Sequence, residues 1–253
     1  MAELTSIITP CYNAAAYLEA CIESVRQQVC QDWEMIIVDD ASRDNSLTIA
    51  RRYQEMDPRI RVIALSANRG VVGARNAALE RAKGRYIAFL DSDDRWLPSK
   101  LELQLKAVAS SGAAVCYSSY YSIDAAGHRT GIFHAPAQAD YWRLLRGSCI
   151  GNLTGLYDAS WLGKEPFRAV GHEDYVMWLS LVKRAGRAVG IGEPLAEYRV
   201  GQGSLSGNKL RAAGWTWNIY RNVEGLPLWQ AAYCFGFYAA RAIFKYKRLP
   251  ADQ

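Results

Sequence analysis

Apolar and polar positions along the first ninety residues switch between two periods. Leu4–Thr9 is a short apolar run broken by Pro10 and Asn13, and Trp33–Val38 (WEMIIV) is apolar at nearly every position. Such a run is expected of a strand buried on both faces of a parallel sheet. Arg61–Leu65 and Arg85–Leu90 (RYIAFL) read as two more strands. Between them the spacing becomes helical. Tyr17, Leu18, Cys21, Ile22 and Val25 mark a helix over Ala15–Gln28, and Leu47, Ile49, Ala50 and Tyr53 mark another over Asp44–Met56. A third covers Val71–Ala82, with Gly84 as the glycine that ends it. Strands spaced by helices imply right-handed β-α-β units and a mainly parallel central sheet flanked by helices.

The pattern changes after Asp94. A helix over Leu97–Ser110 is followed by two strands, Ala113–Tyr121 and Arg129–His134, around a turn at Asp124–Gly127. A helix near Asp174–Arg184, a strand at Leu195–Val200 and two closing helices near Lys209–Arg221 and Leu228–Lys245 complete the reading. No internal repeat or low-complexity linker interrupts the chain.

Composition narrows the class. Half of the 253 residues are hydrophobic and 22% are charged, which excludes a disordered, collagen-like or coiled-coil chain. The net charge of +5 is too small to suggest a nucleic-acid partner, and it sits in the last stretch. Residues 207–253 carry seven Lys or Arg against Glu224 and Asp252. The six cysteines form no Cys-x-x-Cys pair, which fits a reducing cytoplasm rather than zinc or a disulfide framework. The N-terminus has no signal-peptide pattern, and no run reaches the ~18 apolar residues of a membrane span.

In an open parallel sheet, ligands bind beyond the carboxyl ends of the strands. Strand one is followed there by Pro10, Cys11, Tyr12 and Asn13, strand two by Asp39 and Asp40, and strand four by Asp91, Ser92, Asp93 and Asp94. No Gly-x-Gly-x-x-Gly follows the first strand and no Walker lysine loop exists, so neither glycines nor a lysine cradle a phosphate. Carboxylates at a phosphate site need a divalent cation between them. Asp91 and Asp93, two apart in an extended segment, would point the same way and share it, or split between it and a ribose hydroxyl; the acids here could instead simply cap the next helix, at Asp94 or Ser99. Asp40 can accept the N3–H of uracil and Tyr12 can stack on the base, although Asp39 or Asp40 could instead cap the next helix. Glu173-Asp174 opens a helix, as first-turn acids commonly do, and also suits a general base.

These segments together resemble the family 2 glycosyltransferases, inverting enzymes of GT-A fold, and in particular those of bacterial surface polysaccharides. The matching pieces are SIITPCYNAAAYLEACIESVRQQ, WEMIIVDDASRDNS, NRGVVGARNAALERAKGRYIAFLDSDDRW and GHEDYVMWLSLVKRAG, in the family's order. The resemblance implies a GT-A domain over 1–206, with a nucleotide-binding half at about 1–95 and an acceptor half at about 96–206. A basic, aromatic helical tail would occupy 207–253. It places Pro10, Tyr12, Asn13, Asp40, Asp91 and Ser92 at the nucleotide. Asp93, with Asp91, would hold Mn²⁺ or Mg²⁺, and Asp174 would be the catalytic base. Arg69, Arg75 and Asn76 would position the donor or brace the site. The donor would be UDP-glucose, UDP-galactose or a UDP-N-acetylhexosamine. The acceptor would be a lipid-linked, lipopolysaccharide or other saccharide precursor. The Gln-x-x-Arg-Trp signature of processive members is absent, which points to addition of a single sugar. Arg199 and Ser204 are candidates for a loop over the diphosphate. The alternatives are a non-catalytic nucleotide- or carbohydrate-binding module on the same fold and a sugar nucleotidyltransferase, whose Gly-rich first loop is replaced here by TPCYN.

The closing helix puts Trp229, Tyr233, Phe237, Ala240 and Phe244 on one side, with Arg241, Lys245 and Arg248 beside them, while Phe235 and Tyr238 point elsewhere. Residues 227–248 therefore suit peripheral contact with the anionic inner face of a cell membrane. Packing on the domain, or a homodimer, is the other use of such a stripe.

Overall fold

The computed structural model describes residues 3–200 and 209–246. Four strands, β1 (Thr5–Cys11), β2 (Trp33–Asp39), β3 (Ile60–Ala64) and β4 (Tyr86–Phe89), pair in parallel in the order β3-β2-β1-β4. Every residue of β1, β2 and β4 is buried, as the uninterrupted apolar runs require. Helices cover both faces. Ile7, Met35 and Ile37 pack with α1 (Leu18–Arg26), α2 (Ser46–Met56) and α4 (Lys100–Ser111). Ile8, Ile36 and Phe89 pack with α3 (Gly70–Arg81) and with the helices of the second half.

Beyond β4 the sheet is mixed. β9 (Leu156–Asp158) runs antiparallel between β4 and β6 (Val115–Ile123), and β10 (Ala188–Arg199) lies parallel to β6. β7 (Arg129–Phe133) forms the expected hairpin with β6, closed by the Gly127 amide donating to the Asp124 carbonyl at 3.1 Å. The strand expected at Leu195–Val200 is the end of the longer β10. Its beginning is hidden by Gly190, Gly192 and Pro194 and by two register shifts. β5 (Arg95–Trp96), β8 (Gln138–Ala139), β9, α5 (Tyr141–Leu145) and α6 (Ala159–Leu162) are two to five residues long and too short to show a period.

Gly84 does not close α3 as expected. Ala82 already leaves the helix in extended backbone, and a Cβ at Gly84 would lie 2.6 Å from the Ser6 amide nitrogen. That residue is glycine because the chain passes against β1.

α7 (Glu173–Ala185) packs through Trp178, which meets Phe89 edge-on at 5.8 Å and Tyr157 at 6.4 Å. Gly155 makes room for it, since a Cβ there would lie 2.0 Å from the indole. The N-terminus of α7 is thereby held at the edge where β1, β2 and β4 end. α8 (Lys209–Asn218), one π-helical turn (Ile219–Val223) and α9 (Leu228–Tyr246) follow. Ile219, Tyr220, Ala231 and Cys234 are buried in the same core as α7, and the Tyr220 hydroxyl donates to the Leu145 carbonyl at 2.6 Å. Phe235 packs edge-on against Trp217 at 5.5 Å. The stripe on α9 does face outward: Trp229 is 70% and Tyr233 58% exposed, with Leu228 and Phe237 beside them. The side chains of Arg241, Phe244, Lys245 and Arg248 lie outside the described residues. No helix among the described residues is long and apolar enough to cross a membrane.

Candidate active site

Three loops meet at the sheet edge, and each contains a non-glycine residue in the left-handed region: Asn13 (φ 50°), Ala41 (φ 57°) and His172 (φ 48°). Strain of this kind persists where surrounding contacts fix the backbone. The first two loops are laced together. The Asn13 amide donates to Ser42 Oγ at 3.1 Å, and Asn13 Oδ1 accepts from the Arg43 amide at 2.8 Å. The Ala14 and Ala15 amides donate to Ser46 Oγ and Asp44 Oδ2. Asp44, not Asp39 or Asp40, thus serves the start of α2.

Pro10 lies buried in β1 beside Val38, and the Tyr12 ring beyond it is 47% exposed at the rim. Asp40 is 3% exposed; one oxygen accepts from the Arg69 amide at 2.6 Å, and no donor among the described residues reaches the other. Arg69 therefore meets Asp40 through its backbone while its side chain stays exposed. Asp39 is equally buried. Its Oδ2 accepts from the Ser42 amide, and its Oδ1 is buried without a partner among the described residues, a feature with no sequence signal.

The Asp91–Asp94 segment is a tight turn, with the Asp94 amide donating to the Asp91 carbonyl at 3.1 Å, rather than the extended stretch expected. Leu90 still pairs with Ile8, and the chain turns immediately afterwards because α4 must start a few residues later. Asp91 and Asp93 consequently have different environments. Arg75 Nη2 donates to both oxygens of Asp91, at 2.7 and 3.0 Å. The Asp93 carboxylate is half-buried and meets no side-chain donor among the described residues, only its own backbone amide. Burial, then the neighbouring Asp91 charge, pushes its carboxyl above the usual range. Ser92 is buried. Asp94 is buried too, accepting the Arg199 amide at 2.8 Å, and burial pushes it well above the usual range.

Arg199 is itself buried. It donates to the carbonyls of Asp93, Asp124 and Ala125 at 2.9, 2.6 and 2.9 Å, and its guanidinium lies 4.3 Å from the Tyr17 ring. It braces the acidic turn. Ser204 lies outside the described residues.

Arg75 is the link between the acidic turn and α7. Only 5% exposed, it also reaches Glu173 Oε1 through Nη1 at 3.2 Å, while its guanidinium lies 5.1 Å from the Phe167 ring. Asn76 next to it exchanges two hydrogen bonds with the Phe167 backbone, at 3.0 and 2.8 Å. Both residues brace the site. Glu173 is spent on Arg75. Asp174 accepts only from the Tyr175 amide, at 2.8 Å, among the described residues. Burial pushes its carboxyl above the usual range, against the pull of the Arg75 cation. A carboxylate raised by burial, with an oxygen to spare at a cavity wall, has the chemistry to accept a proton. The cavity has a volume of 360 Å³ and is lined by Arg75, Asp91, Asp94, Asn152, Glu173 and Asp174, with Tyr120 and Tyr198.

A divalent cation at this edge would need several hard oxygen ligands. The described residues contain no group of three His, Cys, Asp or Glu side chains able to cage one alone. Asp93 fits as a single hard ligand without a competing side-chain donor, and Asp91 fits less well because Arg75 covers both its oxygens. Diphosphate oxygens would have to complete such a shell, so the cation and the nucleotide would enter together.

A half-parallel sheet with acids at its strand ends, and a partly buried acid in the first turn of the helix across the cavity, have the architecture of the GT-A fold. A profile described as "Glycosyl transferase family 2" matches residues 6–164, and the chain belongs to that family. It is 43% identical over 244 residues to a protein of Bacillus subtilis (strain 168) named as the teichuronic acid biosynthesis glycosyltransferase TuaG, covering 96% of this chain and 97% of that one. It is 36% identical to the Escherichia coli UDP-Glc:alpha-D-GlcNAc-diphosphoundecaprenol beta-1,3-glucosyltransferase WfgD, covering 92% of each. Among solved structures, S. aureus TarS (residues 1–349) with UDP-GlcNAc superposes at TM-score 0.70 and 20% identity, over 87% of this chain and 67% of that one. The mannosyltransferase PcManGT of Pyrobaculum calidifontis, with GDP-Man and Mn²⁺, gives TM-score 0.67 and 19% identity, over 95% and 75%. At those identities the two structures establish the fold.

Proposed function

We propose that this glycosyltransferase moves one sugar from a UDP-sugar to a hydroxyl of a lipid-linked or other saccharide precursor of a surface polysaccharide, with inversion at the anomeric carbon. The observation that carries the reading is Asp174, an incompletely satisfied carboxylate of raised pKa in the same cavity as Asp91. The names of the relatives support the donor and acceptor classes, since WfgD is described by a UDP-glucose donor and a diphosphoundecaprenol-linked acceptor.

The exposed Tyr12 ring receives the uracil face, and the second Asp40 oxygen accepts its N3–H. Arg75 holds Asp91 and Glu173 in place. Asp93 would hold Mn²⁺ or Mg²⁺ with the donor diphosphate, and such a cation supplies charge neutralisation for the departing UDP. Asp174 takes the acceptor hydroxyl proton as the acceptor oxygen bonds to the anomeric carbon and that carbon's bond to the diphosphate oxygen breaks. One displacement from the opposite face inverts the configuration and needs no covalent sugar–enzyme intermediate. Incubation with an α-linked UDP-sugar and an alkyl glycoside should therefore give a β-linked product by NMR. An α-linked product would contradict the single displacement.

The outward face of α9 is assigned to the membrane surface. Leu228, Trp229, Tyr233 and Phe237 form an exposed apolar strip, and Arg146 lies 6.0 Å over the Phe237 ring. The chain beyond adds Arg241, Lys245, Lys247 and Arg248, so the occupant that matches both properties is an anionic bilayer. Co-sedimentation with phosphatidylglycerol vesicles is expected at low salt and weakened in Trp229→Ser/Tyr233→Ser. Equal binding of that double variant, or concentration-dependent dimers instead of vesicle binding, would reassign the face.

A further inference from the structure

A second pocket, of 160 Å³, lies against the cavity described above, and Asp174 lines both. Apart from Tyr175 of α7 and His172 just before it, its other walls come from elements the nucleotide site does not use. Gly147 and Ser148 follow α5, His172 precedes α7, Thr216 lies on α8, Tyr220 on the π-helical turn and Tyr238 on α9. The volume is well below the roughly 300–1,000 Å³ of a site for a drug-sized ligand, and suits one ring rather than a chain of sugars.

The polar groups here divide into two sets. The Tyr175 and Tyr220 hydroxyls are spent on the Leu144 and Leu145 carbonyls, and Thr216 Oγ1 donates to the Ala212 carbonyl at 3.0 Å; these build the wall. The Tyr238 hydroxyl and the His172 imidazole make no hydrogen bond among the described residues, and Ser148 is exposed and donates only weakly, at 3.3 Å, to Ile150. Donors and acceptors beside aromatic faces, with a proton acceptor at the far end, match a hydroxyl-bearing sugar ring.

The backbone around His172 is fixed from α8. Gly171 has φ 77° and lies so close to Trp215 that a Cβ would sit 2.4 Å from the indole, while the His172 ring meets Trp215 edge-on at 5.3 Å. The C-terminal helices thus shape both the pocket and the loop that presents Asp174.

We propose that this pocket receives the terminal sugar of the acceptor, with the hydroxyl to be glycosylated against Asp174, and that Tyr238 of α9 determines which sugar enters. The proposal rests on the transferase reading and extends it, because it makes the last two helices part of the active site. The same helix then carries the acceptor wall on one side and the exposed apolar strip on another, so that a lipid-bound acceptor sugar enters directly beside the surface that holds its lipid.

The test uses the full chain, UDP-glucose, UDP-galactose and UDP-GlcNAc as donors, and a panel of octyl glycosides of glucose, galactose, GlcNAc and GalNAc as acceptor probes. The wild type should extend at least one glycoside. Tyr238→Ala should raise the KM for that glycoside about tenfold or more, with Tyr238→Phe between the two. UDP affinity and slow hydrolysis of the donor by water should stay within about twofold. Ser148→Trp, which fills the pocket from an exposed turn, should abolish transfer to the glycoside and leave donor hydrolysis intact. If the wild type binds a UDP-sugar but neither binds nor extends any glycoside, the pocket assignment is wrong. It is also wrong if Tyr238→Ala changes donor and acceptor KM together, as a purely structural role would. Failure of the wild type to bind any UDP-sugar would instead remove the UDP-sugar donor reading beneath it.

Discussion

Asp174→Asn should abolish transfer while leaving the fold as stable as before, or more so. Asn has nearly the same shape and can keep the bond from the Tyr175 amide, but it cannot take a proton. Removing a general base costs about 10²–10⁴-fold in kcat. UDP affinity should barely change, because Asp40, Tyr12 and Asp93 remain. The stability sign follows from the direction of the shift. Burial raises the folded-state pKa of Asp174 above its ordinary 3.8. The stabilisation this gives is complete below the unfolded-state pKa and is lost as pH rises through the folded one. At neutral pH the charged carboxylate therefore costs stability, and the neutral amide removes that cost. The same direction shapes the rate. Activity should fall on acidification with a midpoint above 3.8, since only the unprotonated carboxylate accepts the proton. Single-turnover rates between pH 4 and 8, with thermal melting alongside, check both parts. Near-normal transfer by a folded Asp174→Asn protein would mean that another group is the base.

Arg75→Leu should be the most destabilising change at the site. Leu fits beside Phe167, but Asp91 and Glu173 lose the fork that neutralises them, with Asp174 close by. Breaking a buried pair by removing one partner costs about 3–5 kcal/mol. The Asp91 and Glu173 side chains are 32% and 22% exposed, which favours the lower part of that range. For a chain of this size the melting temperature should drop by roughly 10 °C. Lowering the pH should narrow the gap to wild type, because protonation removes the uncompensated charge. Arg75→Lys keeps the charge without the two-pronged geometry and should fall between. An unchanged melting temperature in Arg75→Leu would show that Arg75 does not brace the site in solution.

These two residues also show what was legible in the sequence. The Glu173-Asp174 pair stands out because it opens a helix with a clear apolar period, but the choice of Asp174 as base comes from the resemblance and not from that period; β1 to β4 are legible because runs buried on both faces leave no ambiguity. Arg75 lay within a helix whose pattern was readable, yet its role depends on Glu173, 98 residues away. Spacing along the chain carries no information about such a contact. The Asp91–Asp94 segment reads as extended in the sequence and is a turn in the structure because the start of α4, not local propensity, decides where the strand must end. β5, β8 and β9 escaped for a different reason. Strands of two or three residues are defined by the partners they pair with. The exposed strip on α9 was visible as a helical stripe, but Tyr238 had no signal of its own, since its place beside Asp174 comes from the packing of α8 and α9 on α7.

The measurement closest to the central claim is thermal melting with UDP, GDP and dTDP, each with and without Mn²⁺, on wild type and Asp93→Ala. A ligand at a hundred times its dissociation constant stabilises by about 2.7 kcal/mol. UDP with Mn²⁺ should raise the melting temperature more than the two separate effects combined, because Asp93 alone is too small a ligand set for the cation. Asp93→Ala should keep only the metal-independent part. Stabilisation by UDP that is the same without Mn²⁺ and in Asp93→Ala, or equal stabilisation by GDP, would contradict a uridine diphosphate and cation held at this sheet edge.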